Sequence, residues 1–226
     1  MNDRITVVVL VEGQTEKNFI SHLLAEELGK KNILLIPIII GGNVKFTRVQ
    51  RDIERHLKQW KTTVTYITTF VDYYGVEEWP GVEEIPQGST PTMIAQRVND
   101  ATRKQLNAVF PDLWTDKRFI PYMSIHEFEA LLFSDSAILA SKLNRDQADI
   151  DTVLVACGEP EAINDSPQTA PSKRLDKWWG SKFPKTTLGI DIARAIGIPK
   201  MREKCPLFND WLERLEALAH DDGEYV

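Results

Sequence analysis

The stretch ITVVVLVEGQTE, residues 5–16, decides the fold class of this chain. Its first seven residues are all β-branched or apolar, and such a short unbroken run predicts a strand that is buried on both faces. The run stops at Glu12, and a second carboxylate, Glu16, follows four residues later. Because a charged group is costly at the end of a buried strand, this pair of acids requires a chemical reason.

Alternating strands and helices continue outward from this stretch. Gly13 turns the chain, and apolar residues at helical spacing then predict a helix that stops at Gly29. Two further strand and helix units and a fourth strand follow, which predicts an α/β fold with a parallel sheet of about four strands flanked by helices. The predicted strands are 5–11, 34–40, 64–71 and 119–125, and the next two helices are 47–60 and 91–107.

The pattern from residue 126 onward is helical. It predicts a helical C-terminal extension over residues 136–226 that packs on a core unit over residues 1–135. The predicted helical segments of this part are 126–133, 136–142, 146–156, 172–179, 190–196 and 206–219.

The composition is that of a soluble globular protein, with 42% hydrophobic and 27% charged residues among 226. A net charge of −6 indicates that a polyanion would have to be met by a local patch, by metal ions or by another subunit. The two cysteines show no metal-ligand pattern and suggest reduced thiols. The longest apolar run, residues 33–40, is too short to cross a bilayer, so we expect a cytoplasmic protein without membrane segments.

Acids follow three of the predicted strands at the point where each strand ends. In an open parallel sheet, ligands bind outside the carboxyl ends of the strands. Close carboxylates repel one another unless a cation lies among them, and oxygen ligands favour Mg²⁺ or Mn²⁺, as one ion or two. Such ions hold phosphates and activate water. The candidate ligands are Glu12, Glu16, Asp72, Glu127 and Glu129.

Each of these acids also has an ordinary structural explanation. Glu16 lies in the first turn of a helix, where any acid is stabilised by the helix dipole. Asp72 is a residue typical of turns, and Glu129 is equally compatible with a solvent-facing helical position. His126 is either a partner of the site or a partly buried histidine. Glu12 is the acid for which the structural explanation is weakest, since nothing about a buried strand end requires glutamate.

The second predicted helix carries a basic stripe opposite its apolar one. Residues 45–61 contain six bases and two acids, a local balance of +4 in an acidic protein. Such a stripe can bind a phosphate backbone through counterion release, although a solvated helix face is an equally good explanation. The candidate nucleic-acid-binding residues on this helix are Arg48, Arg51, Arg55 and Lys58.

Several stretches resemble known families. The stretch VVVLVEGQTE resembles the first signature of the Toprim domain, which topoisomerases, primases and OLD-family nucleases share. More closely, four stretches are similar to a bacterial Toprim-related family described as domain of unknown function 4276, and this resemblance spans nearly the entire chain. These stretches are VEGQTEKNF (11–19), TTFVDYYGVEEWPG (68–81), HEFEALLFSD (126–135) and INDSPQTAPSKRLDKWW (163–179).

The resemblance implies a Rossmann-like Toprim catalytic core over residues 1–135 and assigns roles to its acids. Glu12 matches the invariant glutamate, Glu16 the second acid of OLD-type nucleases, and Asp72 the first aspartate of the Asp-x-Asp motif. The position of the second aspartate is Tyr74, a poor Mg²⁺ ligand. The resemblance therefore leaves two possibilities: Glu127, with Glu129, supplies the missing oxygens, or metal binding is weakened.

OLD-like enzymes also place a lysine near the metal ions, where it stabilises developing charge. The best match in this sequence is Lys173, with Arg174 beside it as a further nucleic-acid-binding residue. The same segment is equally typical of an ordinary helix start with Ser172 as its cap.

Together these features predict a Mg²⁺- or Mn²⁺-dependent nuclease that acts on DNA or RNA, with Glu12, Asp72, Glu127 and Lys173 as catalytic residues. The resemblance further implies the effector subunit of an ATPase-coupled phage-defence system. The sequence contains no Walker A motif, so an AAA-type or ABC-type ATPase would be a separate subunit, and oligomers are compatible with this arrangement. The alternative is a non-catalytic Toprim-shaped partner of such an ATPase.

Overall fold

A four-stranded parallel sheet forms the centre of the computed structural model, and its strands lie in the order Ile33–Ile39, Ile5–Val11, Thr65–Phe70 and Phe119–Ile120. The structure describes residues 4–41, 44–59, 65–83, 85–113, 115–125, 127–163 and 169–220. The predicted α/β fold with about four parallel strands is thereby confirmed. The strands are β1 (Ile5–Val11), β2 (Ile33–Ile39), β3 (Val44–Lys45), β4 (Thr65–Phe70), β5 (Val76–Glu77) and β6 (Phe119–Ile120), and the short β3 and β5 pair with each other in a separate sheet.

β1 lies between β2 and β4, and this central position explains its unbroken apolar sequence. Its last residue, Val11, pairs with Ile39 on one side and Phe70 on the other. Alternate residues of β1 belong to two hydrophobic clusters on opposite faces of the sheet, with Val9 in one cluster and Leu10 in the other. Both faces are therefore covered, as a parallel sheet requires.

The fourth strand is shorter than the predicted 119–125. The ladder between β4 and β6 ends at Ile120, because Pro121 has no N–H to donate. Beyond it the side chain of Thr69 takes over part of the pairing, since its hydroxyl donates to the carbonyl of Tyr122 at 2.6 Å. A single parallel bridge between Asp72 and Ser124 then holds the two chain segments together.

The helices cover both faces of the sheet. The predicted stripe Val49, Ile53 and Leu57 packs against one face, and the helices of the C-terminal part pack against the other. The helices are α1 (Gln14–Phe19), α2 (Ala25–Gly29), α3 (Phe46–Gln59), α4 (Pro91–Val109), α5 (Thr115–Arg118), α6 (Ser136–Leu143), α7 (Gln147–Cys157), α8 (Pro171–Trp179), α9 (Ile190–Ile196), α10 (Ile198–Lys204) and α11 (Pro206–Ala217), and a π-helical turn (Ile20–Leu24) joins α1 to α2.

The C-terminal region is helical over the residues that are described, as predicted, and its separation from a core unit at residue 136 stays a prediction. Three of its described elements were not predicted: α10, a π-helical turn, Lys185–Gly189, and a 3₁₀ turn, Pro160–Ala162. The segment predicted as helical over 126–133 is a 3₁₀ helix, Phe128–Ser134. None of the helices in the described ranges has an apolar stretch long enough to cross a membrane.

α11 joins the C-terminal part directly to the sheet. The ring of Trp211 stacks on Tyr122 at 4.5 Å between centroids and on Phe70 at 5.3 Å. Its indole N–H donates to the hydroxyl of Thr68, on β4, at 2.9 Å. The core beneath this face is therefore built from residues on both sides of position 136.

Candidate metal centre

Four acids meet at the carboxyl edge of the sheet. Glu12 follows β1, Asp72 follows β4, Glu16 lies in the first turn of α1, and Glu129 lies in the 3₁₀ helix that follows β6. Burial raises the pKa of Asp72 well above its ordinary value, and the charges of Glu129, Glu16 and Glu12 raise it further. The side chains are thus close enough to act on one another, as the parallel topology predicts.

Glu12 is the acid that the end of β1 places at this edge. Its buried Oε2 accepts no hydrogen bond from the described residues. Burial, followed by the charge of Glu16, raises the pKa of Glu12 above its ordinary value. A buried carboxylate oxygen without a donor is costly in a folded protein.

Gly75 shapes the space around Glu12. The chain forms a 3₁₀ turn, Tyr73–Gly75, directly after Asp72, and the Gly75 N–H donates to the Asp72 carbonyl at 2.9 Å. A Cβ atom at position 75 would overlap Oε2 of Glu12. A larger residue would have to displace the end of the Glu12 side chain, so glycine allows this close approach of backbone and carboxylate.

Glu16 both stabilises the first turn of α1 and belongs to the acidic cluster. Its Oε2 accepts a hydrogen bond from the Gly13 N–H at 2.9 Å, so it stabilises the start of α1 in the way expected of an acid there. The side chain is buried, and its charge raises the pKa values of both Glu12 and Asp72.

Asp72 links β4 to the segment after β6. Its Oδ1 accepts a hydrogen bond from the Phe128 N–H at 3.0 Å, and the Tyr73 N–H donates to the Ser124 carbonyl at 3.0 Å. These backbone contacts hold the Asp72 carboxylate at the sheet edge beside Glu12. The aspartate is therefore more than a turn residue.

Glu129 is only 1% exposed, so the solvent-facing interpretation of this residue is wrong. Its Oε1 lies 3.2 Å from Nζ of Lys185, in an ion pair held by charge rather than by a directional hydrogen bond. Neither carboxylate oxygen accepts a hydrogen bond from the described residues. Burial raises the pKa of Glu129 above its ordinary value, although the charge of Lys185 opposes this.

Lys185 is the cation of the cluster, and the sequence did not point to it. It opens the π-helical turn Lys185–Gly189, which is attached to α1 because the Asn18 side chain donates to the Thr186 carbonyl at 3.3 Å. Burial lowers the pKa of Lys185, but the charges of Glu129, Glu16 and Asp72 outweigh burial and raise it above the ordinary value. The stretch PKTTLG has no pattern that distinguishes this lysine from a surface residue.

Glu127 binds the first turn of α8 through two hydrogen bonds. Its Oε2 accepts from the Ser172 N–H at 2.8 Å and its Oε1 from the Ser172 hydroxyl at 2.9 Å. Its charge also raises the pKa values of Glu12 and Glu129, so it lies near the cluster. Ser172 is thus not the cap of α8, whose N-cap is Ala170. Metal ligation by Glu127 stays a prediction.

Lys173 lies on the exposed part of α8, with its ammonium 3.9 Å from Asp176. Arg174 donates from Nε to the Thr169 carbonyl at 2.8 Å. The lysine that contacts the acids in the described structure is Lys185 instead. These contacts do not test the predicted roles of Lys173 in catalysis and of Arg174 in nucleic-acid binding, which stay predictions.

The carboxylate oxygens of these acids are the kind of ligand that a hard divalent cation prefers. Those of Glu12 and Glu129 include buried atoms without hydrogen bonds. The side chains are not arranged as a metal site, however. Among the described residues, no three acid, histidine or cysteine side chains are placed to hold a metal ion together. Tyr74 is exposed, and His126 lies outside the described residues.

A groove beside this edge is lined by three arginines of α3, Arg48, Arg51 and Arg55, together with Asp52. Arg48 and Arg51 are exposed and line a cavity of about 500 Å³ at the end of β2. Ile39, another lining residue, pairs with Val11, which directly precedes Glu12. The groove therefore lies one strand away from the acidic cluster.

The four basic residues of α3 differ in their partners. Arg55 pairs with Asp52 at 2.9 Å, and Lys58 pairs with Glu54 at 2.6 Å, both within the helix. Such exposed pairs are weak, but they reduce the charge that is available to a ligand. Among the described residues, no carboxylate lies within ion-pair distance of Arg48 or Arg51.

Comparison with known proteins identified one family. The model of a family described as domain of unknown function (DUF4276) matches residues 11–216 of the chain. Searches among curated proteins and among solved structures found no match. The matched range includes every acid of the cluster as well as Lys185 and α3.

Proposed function

The chain belongs to the DUF4276 family, and we propose that it is a metal-dependent nuclease that hydrolyses phosphodiester bonds of DNA or RNA. The observation that carries the proposal is the convergence of three acids with raised pKa values on different elements: Glu12 and Asp72, which are partly exposed, and Glu129, which is buried. Perturbed, buried titratable groups concentrate at functional sites. A cluster without function would cost stability, since each carboxylate opposes its neighbours.

Glu12, Asp72 and Glu129 would hold one or two Mg²⁺ or Mn²⁺ ions, with Glu16 and Glu127 beside them. A bound ion of this kind polarises a phosphoryl oxygen and lowers the pKa of a water molecule. The chain itself contributes positioning, because the Phe128 N–H donates to the Asp72 carboxylate and orients it.

Lys185 fits the role that the Toprim resemblance implied for Lys173. Its ammonium lies at the cluster, and its raised pKa keeps it protonated at neutral pH. A fixed positive charge beside the reacting phosphate stabilises the negative charge that develops on its oxygens. Gly75 supports the same site by leaving room for the carboxylate of Glu12.

The groove at Arg48 and Arg51 supports a nucleic-acid substrate. It adjoins the end of β1, so a phosphate backbone bound by these arginines would pass close to Glu12. Binding through Arg side chains to phosphates would be sequence-independent and would weaken as salt rises. The proposal therefore joins a substrate-binding surface to the acidic cluster through β1 and β2.

Cleavage of plasmid, single-stranded DNA and RNA in Mg²⁺, Mn²⁺ or EDTA tests the proposal. We expect cleavage with a divalent ion, no cleavage in EDTA, and a loss of at least about 100-fold in Glu12→Gln and Asp72→Asn. Glu77→Gln is the matched control, because Glu77 is an exposed acid beside Lys45 on the neighbouring β5. Cleavage that survives Glu12→Gln would show that another enzyme causes it.

The second candidate is a non-catalytic subunit that binds an ATPase. Two observations favour it: Tyr74 is exposed where the Toprim motif has its second acid, and both oxygens of Glu127 are already hydrogen-bonded to Ser172. This candidate predicts binding of a partner ATPase without cleavage of any nucleic acid. Coupling to an ATPase, a role in phage defence and a cytoplasmic location stay predictions from the sequence.

A further inference from the structure

Lys185 lies where a metal ion would have to compete with it. We propose that the Lys185 ammonium and a divalent cation exchange at Glu129: the ammonium neutralises the cluster while the site is free of metal, and the entering cation displaces it. The displaced side chain would then be available to a substrate phosphate. This inference rests on the proposed function and adds to it a built-in competitor for the metal.

The four acids around Lys185 are not held in the same way. Glu16 accepts a hydrogen bond from the Gly13 N–H at 2.9 Å, and Asp72 accepts one from the Phe128 N–H at 3.0 Å. Glu129 has no such bond from the described residues, and its recorded contact is the 3.2 Å ion pair with Lys185. Replacing Lys185 at Glu129 therefore breaks one ion pair and leaves the backbone hydrogen bonds of Glu16 and Asp72 in place.

The geometry of the cluster agrees with an exchange. The donors of the described residues do not form a three-ligand metal site, although the acids are close enough to influence one another. Moving an ammonium out from among them removes a like charge from the position of the entering cation. At least one side chain must move before a cation can bind, and Lys185 is the one that carries a positive charge.

The backbone of Lys185 is held by hydrogen bonds, whereas its side chain is free to move. Its N–H donates to the Phe183 carbonyl at 2.9 Å, and the Asn18 side chain binds the next residue of the turn, Thr186. The side chain is 43% exposed, so its outer atoms already reach solvent. A flexible four-carbon stem allows the ammonium to leave Glu129 without unfolding the turn.

Mn²⁺ affinity, measured by calorimetry on the full chain without nucleic acid, tests this inference. Lys185→Met keeps the stem and removes the charge, so we expect Mn²⁺ to bind at least about tenfold more tightly than to the wild type. Lys185→Arg retains the competitor and should bind within about threefold of the wild type. Lys30→Met is the control, since Lys30 pairs with Glu27 at the surface, and its affinity should not change.

Amine labelling of the wild type provides a measurement that needs no variant. Mass spectrometry after brief acetylation should show Lys185 labelled several times faster with Mn²⁺ than with EDTA, because the ion pair with Glu129 no longer protects it. Lys30 should label at the same rate in both conditions. Equal labelling of Lys185, or unchanged or weaker Mn²⁺ binding by Lys185→Met, overturns the exchange and leaves the metal centre intact. Absence of Mn²⁺ binding by both proteins overturns the metal centre as well.

Discussion

The backbone of Gly75 lies against the carboxylate of Glu12, closer than any other amino acid at position 75 would allow. The loop after β4 thereby covers the end of β1. We expect Gly75→Ala to push the Glu12 carboxylate aside, since the end of a flexible side chain moves more easily than backbone. Calorimetry should show Mn²⁺ binding weakened by at least about tenfold, while urea unfolding should change by about 1 kcal/mol or less, because the end of the Glu12 side chain moves and the backbone does not.

Gly29→Ala is the matched control for this substitution. A Cβ at residue 29 would meet no atom within 4 Å, and the residue closes α2. We expect the free energy of unfolding to rise by about 0.4–1 kcal/mol, because alanine reduces the entropy of the unfolded chain, and Mn²⁺ affinity to stay the same. Unchanged Mn²⁺ affinity in Gly75→Ala would contradict the role of Gly75.

The raised pKa of Glu161 predicts how the free energy of unfolding depends on pH. Glu161 is buried at the start of α11, where its oxygens accept from the N–H groups of Leu207 and Phe208 at 2.8 and 2.9 Å. Burial raises its pKa from 4.5 to about 7, with smaller contributions from the charges of Glu159 and Asp210. The folded state thus keeps a proton that the unfolded state loses, and the free energy of unfolding falls as pH rises from 4.5 to about 7.

Urea unfolding at pH 5 and pH 7.5 measures this effect, which amounts to at most about 3 kcal/mol for Glu161. Glu161→Gln cannot ionise, so its free energy of unfolding should change less between the two pH values than that of the wild type. Glu12, Asp72 and Glu129 give a slope of the same sign in both proteins, because their pKa values are also raised. Identical slopes would show that Glu161 titrates normally.

The contacts of Trp211 with the sheet predict that the C-terminal helices and the sheet unfold together. Trp211→Ala removes the stack on Tyr122 and Phe70 and should cost about 3–5 kcal/mol. Trp211→Phe keeps an aromatic ring but leaves the buried Thr68 hydroxyl without its donor, which should cost about 1–3 kcal/mol. Trp179→Ala is the control, since this ring is exposed, and surface substitutions usually change stability by less than about 0.5 kcal/mol. A separate unfolding transition for the helices would contradict the shared core.

Periodicity was enough to predict the sheet, because a buried parallel strand has an unbroken apolar run that few other elements show. It was also enough to bring Glu12 and Asp72 together, since parallel strands end at one edge. The two-residue strands β3 and β5 were missed, because pairs of that length carry no periodic signal.

The rest of the site depends on contacts that are distant in sequence. Lys185 lies 56 residues from Glu129, and nothing in its own segment marks it as the partner of a buried acid. Glu127 was predicted as a ligand from its position after a strand, whereas its hydrogen bonds to Ser172 arise from the packing of α8. The closeness of Gly75 to Glu12 likewise exists only once β1 and β4 pair.

The basic residues of α3 give the last prediction, which concerns the binding of single-stranded DNA. Arg48 and Arg51 lack acidic partners among the described residues, whereas Arg55 and Lys58 are paired within the helix. Arg48→Glu with Arg51→Glu should therefore weaken binding and reduce the slope of log affinity against log salt by about 1.4, or about 0.7 for each lost phosphate contact. The salt dependence is measured by fluorescence anisotropy in EDTA, so that no cleavage interferes. Lys30→Glu with Lys58→Glu changes the net charge by the same amount at two exposed lysines that do not line the groove, and it should change the slope less. Equal effects of the two pairs would show that net charge, rather than the groove at the end of β2, attracts the nucleic acid.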